Sequence, residues 1–317
     1  MCVCCNIGSQ DGVSLVQTKM DFVVRAQKNA DFICVRRNMR VKFLGTAAAE
    51  GVPATFCNCE RCKQAQKLGD KNIRTRSQIL INDDLLVDFP PDTYFHKLKY
   101  NIDLSAVKTL LVTHSHMDHF YPMELSLRGS YFAHDLTDPI IDVYSNEFVK
   151  KSYEVESGFE EFNKEVLNGI KWHIIDPFAH FYTNGYEVFS LKAQHTNPEK
   201  SLFYLIKQGD KAFMQCNDTG YIYDENFEFL NNLGIKIDVI SLDCTCGTIK
   251  MGKVGSHMGA ADCLEIIEKM KNSNFVKPET KFFVTHFSHN GVMVYDELCE
   301  YFKGKAVPAY DGMELEF

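Results

Sequence analysis

Six consecutive residues, His114-Ser115-His116-Met117-Asp118-His119, constrain this chain more than any others. They follow the apolar run 107–113 without a break, so the pattern predicts a strand feeding straight into a loop of three imidazoles and a carboxylate. Such a loop turns alternate side chains toward different points. His114 and His116 can reach one cation, while Asp118 and His119 reach a second. Imidazole and carboxylate suit Zn, Mn or Fe. Three more apolar runs end the same way: 187–194 leads to His195, 212–217 to Asp218, and 281–285 to His286. Open α/β sheets collect their functional groups at the carboxyl ends of strands, so these four ends predict one convergent site.

A second cluster, Cys57-Asn58-Cys59-Glu60-Arg61-Cys62, places three thiols within six residues. Three thiolates this close can wrap one Zn²⁺, with His289 as the fourth ligand. A closed Cys₃His set leaves no open position, so the site is expected to be structural.

The rest of the chain sets the context. The 317 residues include 12 Cys, too sparse for a disulfide scaffold, which is short and Cys-dense. The cysteines are therefore expected to be core residues or metal ligands in a reducing cytoplasm. Cys216, Cys244, Cys246, Cys263 and Cys299 read as small core residues. No apolar run reaches the length of a membrane span. Lys+Arg of 34 against Asp+Glu of 42 disfavours extended nucleic acid as a partner, because that affinity comes from cations. A homodimer is allowed.

Residues 1–38 differ in composition, holding four of the cysteines and neither Pro nor Glu, and read as an N-terminal accessory extension. From 39 to 317 strand-like runs (41–44, 78–81, 85–88, 107–113, 140–144, 187–193, 202–206, 212–216, 237–242, 281–285) alternate with helical stretches at 59–68, 148–155, 260–271 and 294–301. This alternation predicts one layered α/β domain with helices covering two sheets.

The loop His-x-His-x-Asp-His, then His195, Asp218 and a late His286, resembles the metallo-β-lactamase superfamily of hydrolases over residues 39–317. The resemblance implies an αββα sandwich of two mixed β-sheets flanked by helices, with the site along one edge. It assigns His114, His116 and His195 to a first metal, and Asp118, His119 and His286 to a second. Asp218 bridges them. True β-lactamases of this superfamily lack the last His of the hexapeptide, which argues against lactam hydrolysis.

The segment from Phe43 to Cys62, with Tyr310-Asp311-Gly312-Met313-Glu314, is similar to the PhnP-like phosphodiesterases of the carbon–phosphorus lyase pathway. The cofactor-synthesis protein PqqB resembles the chain around the Cys knuckle, with no match visible elsewhere. Ribonuclease Z-type enzymes share the metal motif but carry a long basic arm that this chain lacks.

These resemblances imply a binuclear hydrolase with two Zn or Mn ions and one structural Zn. Its expected substrate is a small cyclic or linear ribose or nucleotide phosphodiester, attacked by a hydroxide shared between the metals. Asp118 would orient that nucleophile, and His257 would assist the leaving oxygen. Asp243 and Asp88 are expected behind the ligands. A lactonase or other carboxylic ester hydrolase has the same ligands, and a non-catalytic metal-binding protein could keep the fold. Residues 120–186 read as a pocket lid, with Trp172, Phe178, Phe181 and Tyr182 as core or pocket wall.

Overall fold

A computed structural model describes residues 38–129, 131–158, 169–291 and 293–317. The expected extension 1–38 lies outside these residues except for Asn38.

Many apolar runs in this chain alternate between two buried faces, and that alternation builds the layers. One sheet contains, in spatial order, Glu314–Glu316 (β14), Arg40–Gly45 (β1), Gln78–Ile81 (β2), Leu85–Val87 (β3), Thr109–Leu111 (β4), Ile141–Ser145 (β5) and Ile170–Ile174 (β6). The other contains Val307–Pro308 (β13), Val276–Thr285 (β12), Ile237–Asp243 (β11), Lys211–Cys216 (β10), Leu202–Gln208 (β9), Tyr186–Lys192 (β8) and His180–Thr183 (β7). Phe43, Ile79, Ile81, Leu85, Val87 and Leu111 point inward and meet Tyr204, Ile206, Phe213, Val239 and Phe283 of the second sheet. Their neighbours Leu44, Leu80, Leu86 and Leu110 point outward, toward Leu125 of helix Pro122–Leu125 (α3) and Val149 and Tyr153 of Glu147–Ser157 (α4). Strands buried on both faces read as continuous apolar runs, as here.

The outer face of the second sheet packs against Asp224–Leu233 (α5), Ala260–Lys271 (α6) and Tyr295–Phe302 (α7). Cys263, Ile266, Ile267 and Met270 line one side of α6 and are all fully buried, at about 1.5–3 kcal/mol for each large side chain. The result is the expected αββα sandwich. Among the described residues, no helix is long and apolar enough to cross a membrane.

Strand polarity positions the site. β3, β4 and β5 are mutually parallel. β8 and β10 are each antiparallel to β9, so they run the same way as each other and as β11 and β12. The carboxyl ends of β8, β10, β11 and β12 therefore share one edge.

Several expectations need correction. The strand expected over 107–113 is confined to Thr109–Leu111; the Thr113 N–H and hydroxyl turn to Asp88 Oδ1, both at 2.9 Å. Within 120–186, expected as a pocket lid, the described residues instead supply β5, α4, β6 and β7 to the sandwich, and residues 130 and 159–168 lie outside the described residues. Tyr182 is 70% exposed and belongs to no core. Cys246 and Cys299 are only half-buried, unlike the other three expected core cysteines.

Candidate metal centre

Asp88, Asp218 and His286 each follow a strand and each adopt left-handed backbone, with φ of 66°, 53° and 61°. Such a conformation costs a non-glycine residue about 1–2 kcal/mol. It turns the chain sharply at the strand end and brings side chains from different strands together. Asp218 sits in the middle. Its Oδ2 is 3.1 Å from both His114 Nε2 and His119 Nε2, and its Oδ1 is 3.1 Å from His195 Nδ1 and 3.0 Å from His257 Nδ1. His119 Nε2 is also 3.2 Å from Asp118 Oδ2 and 3.2 Å from His286 Nε2, and His195 Nε2 is 3.1 Å from His116 Nδ1.

Donor atoms of His114, His116, His195 and Asp218 thus gather within 4.8 Å of one another, and so do those of Asp118, His119, Asp218 and His286. The two sets anticipated from sequence form, and they share Asp218. A further overlapping group joins Asp218, Asp243, His257 and His286.

The donors fit cations. His114 Nε2 and Asp218 Oδ1 are buried and make no hydrogen bond, despite near neighbours at about 3.1 Å. Buried polar atoms without partners are rare and need a reason. Lone pairs aimed at a common point, not at each other, supply one. Ligands about 2.0–2.2 Å from one ion, at angles of about 90–110°, stand about 2.8–3.6 Å apart, a range that includes the spacing seen here.

The outer ring nitrogens are anchored. His114 Nδ1–H donates to Thr113 Oγ1 at 3.0 Å, and His119 Nδ1–H to Asp88 Oδ2 at 2.7 Å. His286 Nδ1–H donates to Thr245 Oγ1 at 2.7 Å, and that hydroxyl donates to Asp243 Oδ2 at 2.9 Å. Each bond fixes a tautomer and turns Nε2 inward. Asp88 and Asp243 therefore stand where expected. Thr245 has no motif of its own and was not anticipated.

Charge follows the same plan. Burial holds His114 down to about 3, so it stays neutral. Burial opposes ionisation of Asp218, but His286, His114, His119 and His257 hold its carboxyl well below the usual range. His257 is partly buried, which disfavours its charged form, yet Asp218 and Asp243 lift it to about 11.

The knuckle also assembles. Cys59 Sγ and Cys62 Sγ lie 3.6 and 3.5 Å from His289 Nδ1, and the four donors of Cys57, Cys59, Cys62 and His289 lie within 4.8 Å of one another. Tetrahedral Zn with bonds of about 2.3 Å to sulfur and about 2.05 Å to nitrogen places S and N about 3.6 Å apart. Cys59 caps the helix Glu60–Leu68 (α1), accepting from the Cys62 N–H. Glu50 Oε1 lies 3.7 Å from His289 Nε2, leaving Nδ1 to face the thiols. Sequence reasoning missed Glu50, which lies outside the Cys motif.

A four-layer αββα sandwich with two His/Asp sets on one edge defines a metal-dependent hydrolase fold. The model of the beta-lactamase superfamily domain matches residues 85–287, and the chain belongs to that superfamily. Coenzyme PQQ synthesis protein B of Bradyrhizobium diazoefficiens is 25% identical over 179 residues, 53% of this chain and 55% of that protein. The chain thus matches about half the length of that curated relative. This likeness extends well beyond the knuckle, correcting the narrower expectation.

Among solved structures, a diphosphatase from the PhnP family superposes with a TM-score of 0.66 at 19% identity, covering 88% of this chain and 97% of the other. Zn²⁺-bound PqqB from Methylobacterium extorquens gives 0.65 at 18% identity, covering 87% and 99%. At these identities the structural likeness speaks to the fold.

Proposed function

We propose that the protein hydrolyses a small phosphodiester, such as a cyclic or linear ribose or nucleotide ester, with two Zn or Mn ions. The observation that carries this reading is Asp218, one carboxylate shared by two convergent donor sets. Two divalent ions held there supply Lewis acidity, which acidifies water and offsets phosphoryl charge.

The chain's own groups do the rest. Asp118 faces His119 and the interior of the site, where it orients the attacking water. The water gives up one proton to bulk solvent as its oxygen bonds phosphorus, the ester P–O bond breaks, and the leaving oxygen takes a proton. His257 supplies it: its Nδ1 is engaged by Asp243 Oδ2 at 3.3 Å, which leaves Nε2 for the substrate.

Beside His195 a cavity of about 680 Å³ is lined by Phe178, Tyr223, Val254, Lys192 and Lys200. That volume suits the organic arm of a small ester. Lys192 pairs with Glu225 at 2.8 Å and Lys200 with Asp176 at 2.6 Å, so the cleft is not a cationic track for a long phosphate backbone. The expected structural Zn at Cys57, Cys59, Cys62 and His289 completes the reading.

The test is turnover of an aryl phosphodiester beside a lactone, with Zn²⁺ and Mn²⁺, by wild type and His116→Ala. The diester should be cleaved by wild type and not by the variant. Lactone-only activity, or undiminished turnover by the variant, overturns the proposal.

A further inference from the structure

We infer that Glu199 is a positioning residue for the His114–His116 side of the metal centre, acting through Ser115. It rests on the two-cation reading of the site and is independent of which ester is cleaved.

Glu199 is 7% exposed. Its Oε1 accepts from the Ser115 backbone N–H at 2.9 Å and from Asn146 Nδ2 at 2.8 Å, and its Oε2 accepts from Ser115 Oγ at 2.7 Å. Among the described residues, no Lys, Arg or His forms an ion pair with it. Burying a carboxylate without a cation is costly unless its lone pairs are met by donors. Here three donors meet it, and two come from the residue between His114 and His116. Fixing both the peptide and the hydroxyl of Ser115 fixes the peptide planes that carry the two imidazoles. His116 depends on this most. It is exposed, and His195 Nε2 is the nitrogen facing its Nδ1.

Glu199 lies four residues after His195, so its bonds to Ser115 tie together two loops that each carry donors of one set. Asn146 adds a third strand end. Its Nδ2 also donates to the Lys200 carbonyl at 3.2 Å, while its Oδ1 caps α4 by accepting from Phe148 and Val149 N–H at 2.9 and 3.2 Å. Glu199 thus clamps the ends of β4, β5 and β8 without being one of the donors in either set.

Glu199→Gln keeps the size and removes one acceptor, turning an NH₂ toward a Ser115 donor. The measurement is Zn²⁺ affinity and stoichiometry, by competition with a chromogenic chelator, on metal-stripped full-length wild type, Glu199→Gln, His116→Ala and the double variant. Circular dichroism on each confirms folding. Glu199→Gln should weaken one active-site Zn²⁺ by about 10–100-fold, the usual effect of losing a group that orients ligands. The knuckle zinc should be unaffected. In the His116→Ala background, where that ion is already compromised, the same substitution should change nothing further. Glu199→Asp, which keeps both oxygens, should recover part of the loss.

Unchanged affinity in Glu199→Gln overturns the inference. So does an equal loss in the His116→Ala background, which would mark a general effect on the fold. A wild type that takes up only the knuckle zinc instead overturns the two-cation reading on which the inference stands.

Discussion

His289→Ala should make the protein less heat-stable in zinc while leaving catalysis nearly intact. His289 Nδ1 is the lone nitrogen among the donors of Cys57, Cys59, Cys62 and His289. Those donors join α1 and the loop before it to the segment just after His286. An ion that binds only the folded state stabilises it by about 2.7 kcal/mol when free zinc is about 100-fold above the dissociation constant. Roughly 280 residues at about 2.1 cal/mol/K each give an unfolding entropy of about 0.6 kcal/mol/K, so that stabilisation is worth about 5 °C in Tm. The assay is thermal unfolding of wild type and variant, each at buffered free zinc and under chelation. The zinc-dependent rise should be about 5 °C smaller in the variant. Taking this difference of differences cancels the contribution of the catalytic pair. At 20 °C the variant's kcat should stay within about threefold of wild type, because a closed tetrahedral site has no position for substrate. Equal zinc-dependent rises refute the closed site. A large loss of kcat with unchanged Tm would instead mean that the knuckle takes part in the chemistry.

Two further outcomes follow from other residues. If His257 protonates the leaving oxygen, His257→Ala should slow alkyl diesters by about 10²–10⁴-fold and p-nitrophenyl diesters much less, since the latter leave without a proton; equal losses on both refute the role. His96 is buried against Thr75 and Gln78, and burial pulls it down to about 4 from 6.5, with Asp92 opposing and Lys99 assisting. The unfolded chain therefore binds the extra proton, so stability is full above about pH 6.5 and falls by up to about 3 kcal/mol as pH drops toward 4. Urea unfolding across pH 4–7 should show this slope in wild type and a shallower one in His96→Gln.

The donors were legible because each is local. His114, His195, Asp218 and His286 each follow an apolar run, and strands of shared polarity bring such ends together. Helix α6 was legible because its stripe of Cys263, Ile266, Ile267 and Met270 keeps helical spacing. Thr93–Tyr100 (α2) was not, since Tyr94, Phe95 and Leu98 are exposed and no buried stripe marks it. Helix α5 had readable ends, with Asp224 and Glu225 in its first turn and Gly234 at a left-handed φ of 69°, and was still missed. The strands β6 and β7 lie at sheet edges, where partial exposure blurs the alternation. Glu199 and Thr245 were unreadable for another reason. Their partners Ser115 and His286 lie 84 and 41 positions away, and nothing in either local sequence marks the pairing.

The buried carboxylates explain why a site built on loops can be rigid, and why it fits two divalent ions. Asp88 holds Thr113 and His119, Asp243 holds Thr245 and the Met258 N–H, and Asp262 accepts from the backbones of Met251, Gly252 and Gly259 at 2.8–3.0 Å. The segments carrying His114 to His119, His257 and His286 are each tied to a carboxylate or to a residue bonded to one. Asp88, Asp118, Asp218 and Asp243 put four negative charges around the imidazoles, each at most 4% exposed. Without metal, ring protons must offset that charge: burial opposes a charged His119, but Asp118 and Asp88 hold its pKa well above the ordinary value. Two divalent cations would bring four positive charges, which would balance the carboxylates with the ligating imidazoles neutral, the state a ligating histidine needs.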